Sequence, residues 1–330
     1  PAKVNLALAV GPPEPDGMHP ISSWMLSVGL CDELLVTRLP EDRFSRYAIL
    51  WHEEAPRRSD IDWSITRDLA VRAHLALEEH VGRRLPVQLR LDKRIPVGGG
   101  LGGGSSDAAA MLRALDRLFE LDLPEADLAT IAGGLGSDVP FLLHGGSAIV
   151  EGRGERLLRH AASPEVHLVL VFPEAACPTG PVYAAFDRQG PGPLRDDAVR
   201  RLAGEGAVAP GPEQPFNDLA PAAMTLAPEL ATLADAVGRV AERPAHLSGS
   251  GSTLFVLTDD ALHAEFLARA ITDQLAVPAA AVATHPGPVP GPPPARWDAA
   301  VPPPPPPRSP SPCSPAAAAP PSSASCWPRC

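Results

Sequence analysis

The stretch Pro96-Val97-Gly98-Gly99-Gly100-Leu101-Gly102-Gly103-Gly104-Ser105-Ser106-Asp107 constrains this chain more than any other. It sets six glycines into positions 98–104, between two segments of different periodicity. Before it, Val87, Leu89 and Leu91 alternate with Gln88, Arg90 and Asp92, which predicts a half-buried strand. After it, Ala108, Met111, Leu112, Leu115, Leu118 and Phe119 recur at three- and four-residue spacing. That predicts a helix beginning near Ser105 with one buried stripe. Glycine reaches positive φ at little cost and lets a ligand approach the backbone. A helix start adds unpaired N–H groups and the positive end of a dipole. Together these suit a polyphosphate. The loop is not a Walker loop, because no Gly-Lys-Ser/Thr closes it. It is not a dinucleotide fingerprint either, since no acid-ended strand follows about 20 residues on. A plain linker or tight turn does not explain glycines placed between two patterned elements.

The remaining pattern is that of an α+β chain. Val4 to Val10 reads as a strand, and Pro12, Pro13, Pro15, Asp16 and Gly17 as a turn-rich loop. Leu34 and Val36 suggest a second strand. Asp60 to His80 carries a helical pattern with Leu69, Ala73, Ala76 and Leu77 on one face. Leu128 to Ala132 predicts a short helix and His167 to Phe172 a buried strand. Met224 to Val240 predicts one helix, Leu254 to Leu257 a strand and Ala261 to Leu275 a helix. The domain change is expected just before His167, giving units of 1–163, 164–286 and 287–330. In the last of these, seventeen residues are proline, including Pro302 to Pro307. It lacks the periodic apolar residues of a core, so a disordered or polyproline-like tail is expected. A shifted reading frame explains its Cys, Trp and Arg content more economically than a proline-recognising partner does.

A hydrophobic fraction of 45% and a charged fraction of 20% allow an ordinary core. The net charge of -11 argues against a general nucleic-acid binder. Only Cys31 and Cys177 fall in the globular part, without metal-ligand spacing, which reads as a reducing, cytoplasmic setting. No apolar run spans a bilayer and no signal peptide is visible. The sequence begins at Pro1 rather than at Met.

Pro96-x-x-x-Gly100-Leu101-Gly102-Gly103-Gly104-Ser105-Ser106 resembles the ATP-binding motif of the GHMP kinases. Two further segments resemble that family's other motifs and stand in its order. They are Pro1-Ala2-Lys3-Val4-Asn5-Leu6 and the glycine turn Ser248-Gly249-Ser250-Gly251-Ser252-Thr253. The likeness covers roughly Pro1 to Pro286. It implies a two-domain α+β fold with an active-site cleft between an N-terminal nucleotide-binding domain and a C-terminal domain. It also implies ATP, with Mg²⁺ arriving alongside it rather than held tightly, and a small-molecule acceptor.

Asp16-Gly17-Met18-His19, Asp92-Lys93-Arg94-Ile95-Pro96 and Gly136-Ser137-Asp138-Val139-Pro140-Phe141 narrow the likeness. They are similar to the branch that phosphorylates a cytidine-diphosphate-bearing polyol in non-mevalonate isoprenoid synthesis. That branch implies a catalytic pair of Lys3 and Asp138. Asp138 would accept the hydroxyl proton, and Lys3 would hold that carboxylate ionised. Their plain readings are a solvated lysine and a helix N-cap. The same likeness places ATP over Pro96 to Ser106, with Mg²⁺ near Ser105 or Ser106; those hydroxyls would otherwise cap the helix. It places the acceptor at Asn5, Met18, His19, Thr179 and Tyr183. Two positions depart from the pattern. Met18 stands where an aromatic usually stacks on the base, so Tyr183 supplies the one aromatic face. Asp68 stands where an Asn usually meets the adenine, with a surface charge as its plain reading. Two alternatives remain open: a GHMP kinase for homoserine or a sugar, and a catalytically silent binding module on the same fold.

Overall fold

The computed structural model describes residues 1–204 and 208–286; the predicted tail at 287–330 lies outside the described residues. The strands are β1 (Ala2–Val10), β2 (Ile21–Val28), β3 (Glu33–Arg38), β4 (Arg46–Trp51), β5 (Val87–Lys93) and β6 (Ser147–Gly152). They continue with β7 (Arg156–Arg159), β8 (His167–Val171), β9 (Phe216–Asn217), β10 (His246–Leu247), β11 (Leu254–Thr258) and β12 (Ala279–Ala283). The helices are α1 (Leu69–Val81), α2 (Gly103–Leu118), α3 (Glu125–Leu135), α4 (Val139–Leu142) and α5 (Thr179–Arg188). They end with α6 (Asp196–Ala203), α7 (Ala220–Leu226), α8 (Pro228–Ala241) and α9 (Ala261–Leu275). Among the described residues no helix is long and apolar enough to cross a membrane.

Three sheets result, ordered β7-β6-β2-β1-β9, β10-β11-β8-β12 and β3-β5-β4. The first has two packed faces. One meets α1, α2 and β5 through Met25, Ala148 and Val150. The other meets β8 and β11 through Val4, Trp24, Leu168 and Phe255. That double burial explains why every residue of β1 is buried and why its apolar alternation is weak. Ala2, Val4 and Leu6 enter one core, and so do Ala7 and Ala9. The phase therefore flips between Leu6 and Ala7, where the pairing with β2 is irregular. Lys3 and Asn5 leave the strand on the opposite face, two residues apart.

Several predicted boundaries move, each for a local reason. The helix predicted from Asp60 begins only at Leu69, after a single 3-10 turn at Ile65–Arg67. Asp68 stops it from starting earlier: its backbone is extended and its Oδ1 accepts from the N–H groups of Ala70 and Val71. The helix predicted near Ser105 starts at Gly103, with Gly102 in a left-handed conformation before it. The short helix predicted at 128–132 runs from Glu125 to Leu135. The single helix predicted over 224–240 is two, because Pro228 opens a new one after a non-helical Ala227.

Candidate active site

The glycine loop is built by close approach. Gly98, Gly100 and Gly102 have φ of 72°, 75° and 68°, a region that side chains rarely adopt. A Cβ on Gly100 would stand 2.1 Å from the Ser248 carbonyl oxygen, and one on Gly99 2.7 Å from Thr253 Oγ1. The two glycine segments are thus pressed together. Thr253 N–H donates to Gly99 O at 3.1 Å, and Ser248 Oγ to Gly100 O at 3.0 Å. Lys3 N–H donates to Leu101 O at 2.9 Å, which joins β1 to the same loop. Gly102 leaves the start of α2 without a side-chain cap, so its first N–H groups stay free for an anion. Gly103 has a different reason to be glycine: a Cβ there would meet Ile95 Cγ2 at 2.9 Å.

Beneath the loop lies a buried cluster that the sequence did not suggest. Lys93 Nζ sits 2.7 Å from Asp32 Oδ2 and 2.6 Å from Asp107 Oδ2. Asp32 Oδ1 also accepts from the backbone N–H groups of Arg94 and Ile95. One ammonium between two carboxylates neutralises one of them. Burial accordingly pushes the Asp107 carboxyl up to about 8 against the pull of Lys93. The cluster fastens the end of β5 to the first turn of α2, on either side of the glycines.

A cavity of about 600 Å³ opens beside the loop. Lys3, Asn5, Met18, His19, Ser105, Asp138, Thr179 and Tyr183 all line it, so residues from five separate segments converge. Of the predicted nucleotide loop, Ser105 is the residue on the cavity wall, while Ser106 is buried. Lys3 is not a solvated lysine. Its Nζ is buried, donates to Asn5 Oδ1 at 2.7 Å and lies 3.5 Å from Asp138 Oδ2. Asn5 is fixed in turn, because its Nδ2 donates to Ser23 Oγ at 2.7 Å. Asp138 occupies the N-cap position of α4, yet its side chain makes no capping bond. Its carboxylate, 28% exposed, faces Lys3 instead. α4 is held in place by Arg159, whose Nη2 donates to Pro140 O at 3.2 Å.

Another part of the cavity wall is aromatic. The His19 and Tyr183 rings lie 4.9 Å apart at 52°. His19 Nδ1 donates to Gly11 O at 2.9 Å, which turns Nε2 toward Asp187 Oδ1 at 3.4 Å. Burial, helped by the charge of Asp138, pushes the Tyr183 hydroxyl up to about 12, so it stays protonated. Met18 is 48% exposed at the rim. Thr179, the first residue of α5, pairs with Ser250 across 3.2 Å. Asp68 is not a surface charge but the buried cap of α1, with Trp63 Nε1 at 3.4 Å from its Oδ2. Sequence reasoning missed Arg153 and Asp187 on the wall, and gave no role to Ser137 and Ser250 within the two motif segments that hold them. The one available signal was a charged residue set between glycines in Gly152-Arg153-Gly154.

Comparison with known proteins matches residues 68–146 to the GHMP kinases N terminal domain and residues 196–277 to the GHMP kinases C terminal domain. A Streptomyces avermitilis protein named 4-diphosphocytidyl-2-C-methyl-D-erythritol kinase is 37% identical over 293 residues. The match covers 87% of this chain and 96% of that protein. A Streptomyces coelicolor protein of the same name is 41% identical over 275 residues, covering 81% and 89%. A crystal structure of 4-(cytidine 5'-diphospho)-2C-methyl-D-erythritol kinase superposes with a TM-score of 0.69 at 34% identity, over 87% of this chain and 98% of that one.

Proposed function

This chain belongs to the GHMP kinase family and is an enzyme, and from that premise we propose that it phosphorylates a hydroxyl of 4-diphosphocytidyl-2-C-methyl-D-erythritol with ATP. The observation that carries the reading is one cavity with two chemically distinct ends. An ammonium–carboxylate pair lies at one end and an aromatic slot at the other. An acceptor with a reacting hydroxyl and a remote base fits both ends at once; homoserine or a simple sugar has nothing for the second.

The proposed step is an in-line transfer. Asp138 takes the proton of the attacking hydroxyl as that oxygen bonds to the γ-phosphorus. The bond from the γ-phosphorus to the β–γ bridging oxygen breaks, and ADP leaves with that oxygen. Lys3 holds the Asp138 carboxylate in position across 3.5 Å, and Asn5 keeps Lys3 in place. The free N–H groups at the start of α2 bind the phosphates. Tyr183 stacks on the base, with His19 at its edge and Met18 against its other face. Magnesium, when bound, neutralises phosphate charge. Among the described residues no cluster of three His, Cys, Asp or Glu side chains could hold it. A site with few protein ligands would suit an ion that keeps its waters, and the Ser105 hydroxyl on the cavity wall would be a ligand to it.

A cytoplasmic setting, supported by the free thiols of Cys31 and Cys177, belongs to the same proposal. So does the division at 163/164, supported by matched segments that fall on either side of it. The deciding experiment is a coupled ADP-release assay with the cytidyl acceptor, homoserine and a hexose. Turnover of the first and near-background rates with the others are expected. Equal or greater activity on homoserine or the sugar would overturn the acceptor assignment.

A further inference from the structure

Among the described residues, the Lys and Arg side chains that line the cavity are Lys3 and Arg153. Lys3 is engaged with Asp138 and Asn5, whereas Arg153 takes no part in the transfer chemistry. Arg153 sits at the tip of the β6–β7 hairpin. Beside it, Gly154 has φ of 111°, and a Cβ there would stand 2.5 Å from the Ser137 carbonyl oxygen. The hairpin tip therefore rests on the residue just before Asp138. On its other side, Arg153 Nη2 lies 2.5 Å from Glu14 Oε2 and 2.7 Å from Asp16 Oδ2. Asp16 in turn accepts the Met18 N–H through Oδ1 at 3.1 Å. Arg153 thus stands between the segment that carries Asp138 and the loop that carries Met18 and His19, the two proposed ends. An acceptor stretched between those ends must lay its linker along this wall, and in a diphosphocytidyl polyol that linker is a doubly charged diphosphate.

The guanidinium has donors to spare. Both carboxylates use Nη2, and among the described residues Nη1 and Nε have no hydrogen-bond partner. A free guanidinium edge matches two phosphate oxygens at once, which an ammonium does not. Glu14 and Asp16 are about half exposed, so water screens their repulsion of an anion while the phosphate contacts the guanidinium directly. We infer that Arg153 reads the diphosphate of the acceptor, with Glu14 and Asp16 holding its side chain in position. The inference rests on the cytidyl-acceptor reading and adds a subsite to it.

The test titrates cytidine and CDP into the full chain with saturating ADP, so that the nucleotide cleft is filled. Wild type, Arg153→Gln and Arg153→Lys are compared. Wild type should bind CDP tighter than cytidine by about tenfold or more, the scale of one charge-assisted contact. Arg153→Gln should bring that ratio close to unity while cytidine affinity holds, which a merely unfolded variant would not do. Arg153→Lys, which keeps the charge but not the fork, should fall between. An unchanged ratio in Arg153→Gln, alongside normal wild-type turnover of the cytidyl acceptor, overturns the role of Arg153 and leaves the acceptor reading standing. Wild-type protein that binds neither ligand removes both.

Discussion

The two walls of the cavity are made of different material. The nucleotide wall is backbone: Gly100 leaves no space for a methyl group against Ser248, and its φ of 75° excludes most side chains on its own. The wall proposed for the acceptor is side chain. His19, Tyr183 and Arg153 form it, Met18 is half exposed, and a Cβ on Gly17 would meet nothing within 4 Å. On the proposed reading, the ligand part common to every reaction cycle, the triphosphate, meets main chain whose sterics leave little room for a side chain. The part that distinguishes one acceptor from another would meet side chains, which can be exchanged singly. In such a molecule specificity can drift without the phosphate cradle being rebuilt.

Substitutions can break this contrast. The largest effect belongs where the walls meet. Asp138→Asn should lower kcat by about 10²–10⁴-fold, the usual loss for a positioned acid or base, with ATP-analogue affinity retained. Near-normal turnover in a folded variant would end the role of Asp138 as base. Next comes Gly100→Ala. Left-handed backbone costs an L-residue about 1–2 kcal/mol, and the clash with Ser248 adds to it. Both Tm and nucleotide affinity should fall. Gly17→Ala, equally left-handed at 80° but in open space, should cost only the backbone term and leave the ATP KM alone. Equal losses in the two variants would erase the distinction between the walls.

On the acceptor side, Tyr183→Ala should raise the KM for the cytidyl substrate about tenfold. Stacking of a base on an aromatic is worth about 1–3 kcal/mol, and about 1.4 kcal/mol is a factor of ten. The ATP KM should stay fixed, and an enzyme indifferent to the change would place the base elsewhere. Smallest is Met18→Tyr, which adds a second aromatic face at the rim. Steady-state kinetics should show a few-fold lower acceptor KM, since an exposed ring gains only part of the stacking energy. A raised KM would mean that Met18 does not flank the base.

Period and punctuation make much of this fold legible in the amino-acid sequence. β5, α2, β11 and α9 follow from apolar spacing, and the glycine loop from its place between two of them. What stays hidden is hidden for identifiable reasons. β2 reads Ile-Ser-Ser-Trp-Met-Leu-Ser-Val and is buried almost throughout, so it shows no alternation that marks a strand. Its Ser23 is polar because it accepts from Asn5 and donates to the Ala7 carbonyl oxygen, partners far away in sequence. The Lys93 cluster needs Asp32, which lies 61 residues from it. The convergence of Lys3, Asp138 and Tyr183 in one cavity likewise depends on tertiary packing. Their pairing rests on the family likeness; spacing alone supplies none of it. The break at Ala227 is different: Pro228 is a visible signal, outweighed by the apolar pattern on both sides of it.

The two-residue strand β9 has a consequence for anyone recombining halves of related enzymes. It lies parallel to β1 at Ala7 and Leu8, and the Asp218 carboxylate accepts the Val10 N–H. The Asn217 side-chain amide donates to the carbonyl oxygens of Leu247 and Gly249, both at 2.8 Å. One asparagine thereby ties the strand that bears Lys3 to the turn that presses on Gly100. A chimaera joined near residue 163 would inherit β1 from one parent and its fastening from the other. Its success would depend less on the linker than on whether β9 of one parent still pairs with β1 of the other, with the Asp218 carboxylate meeting the Val10 N–H.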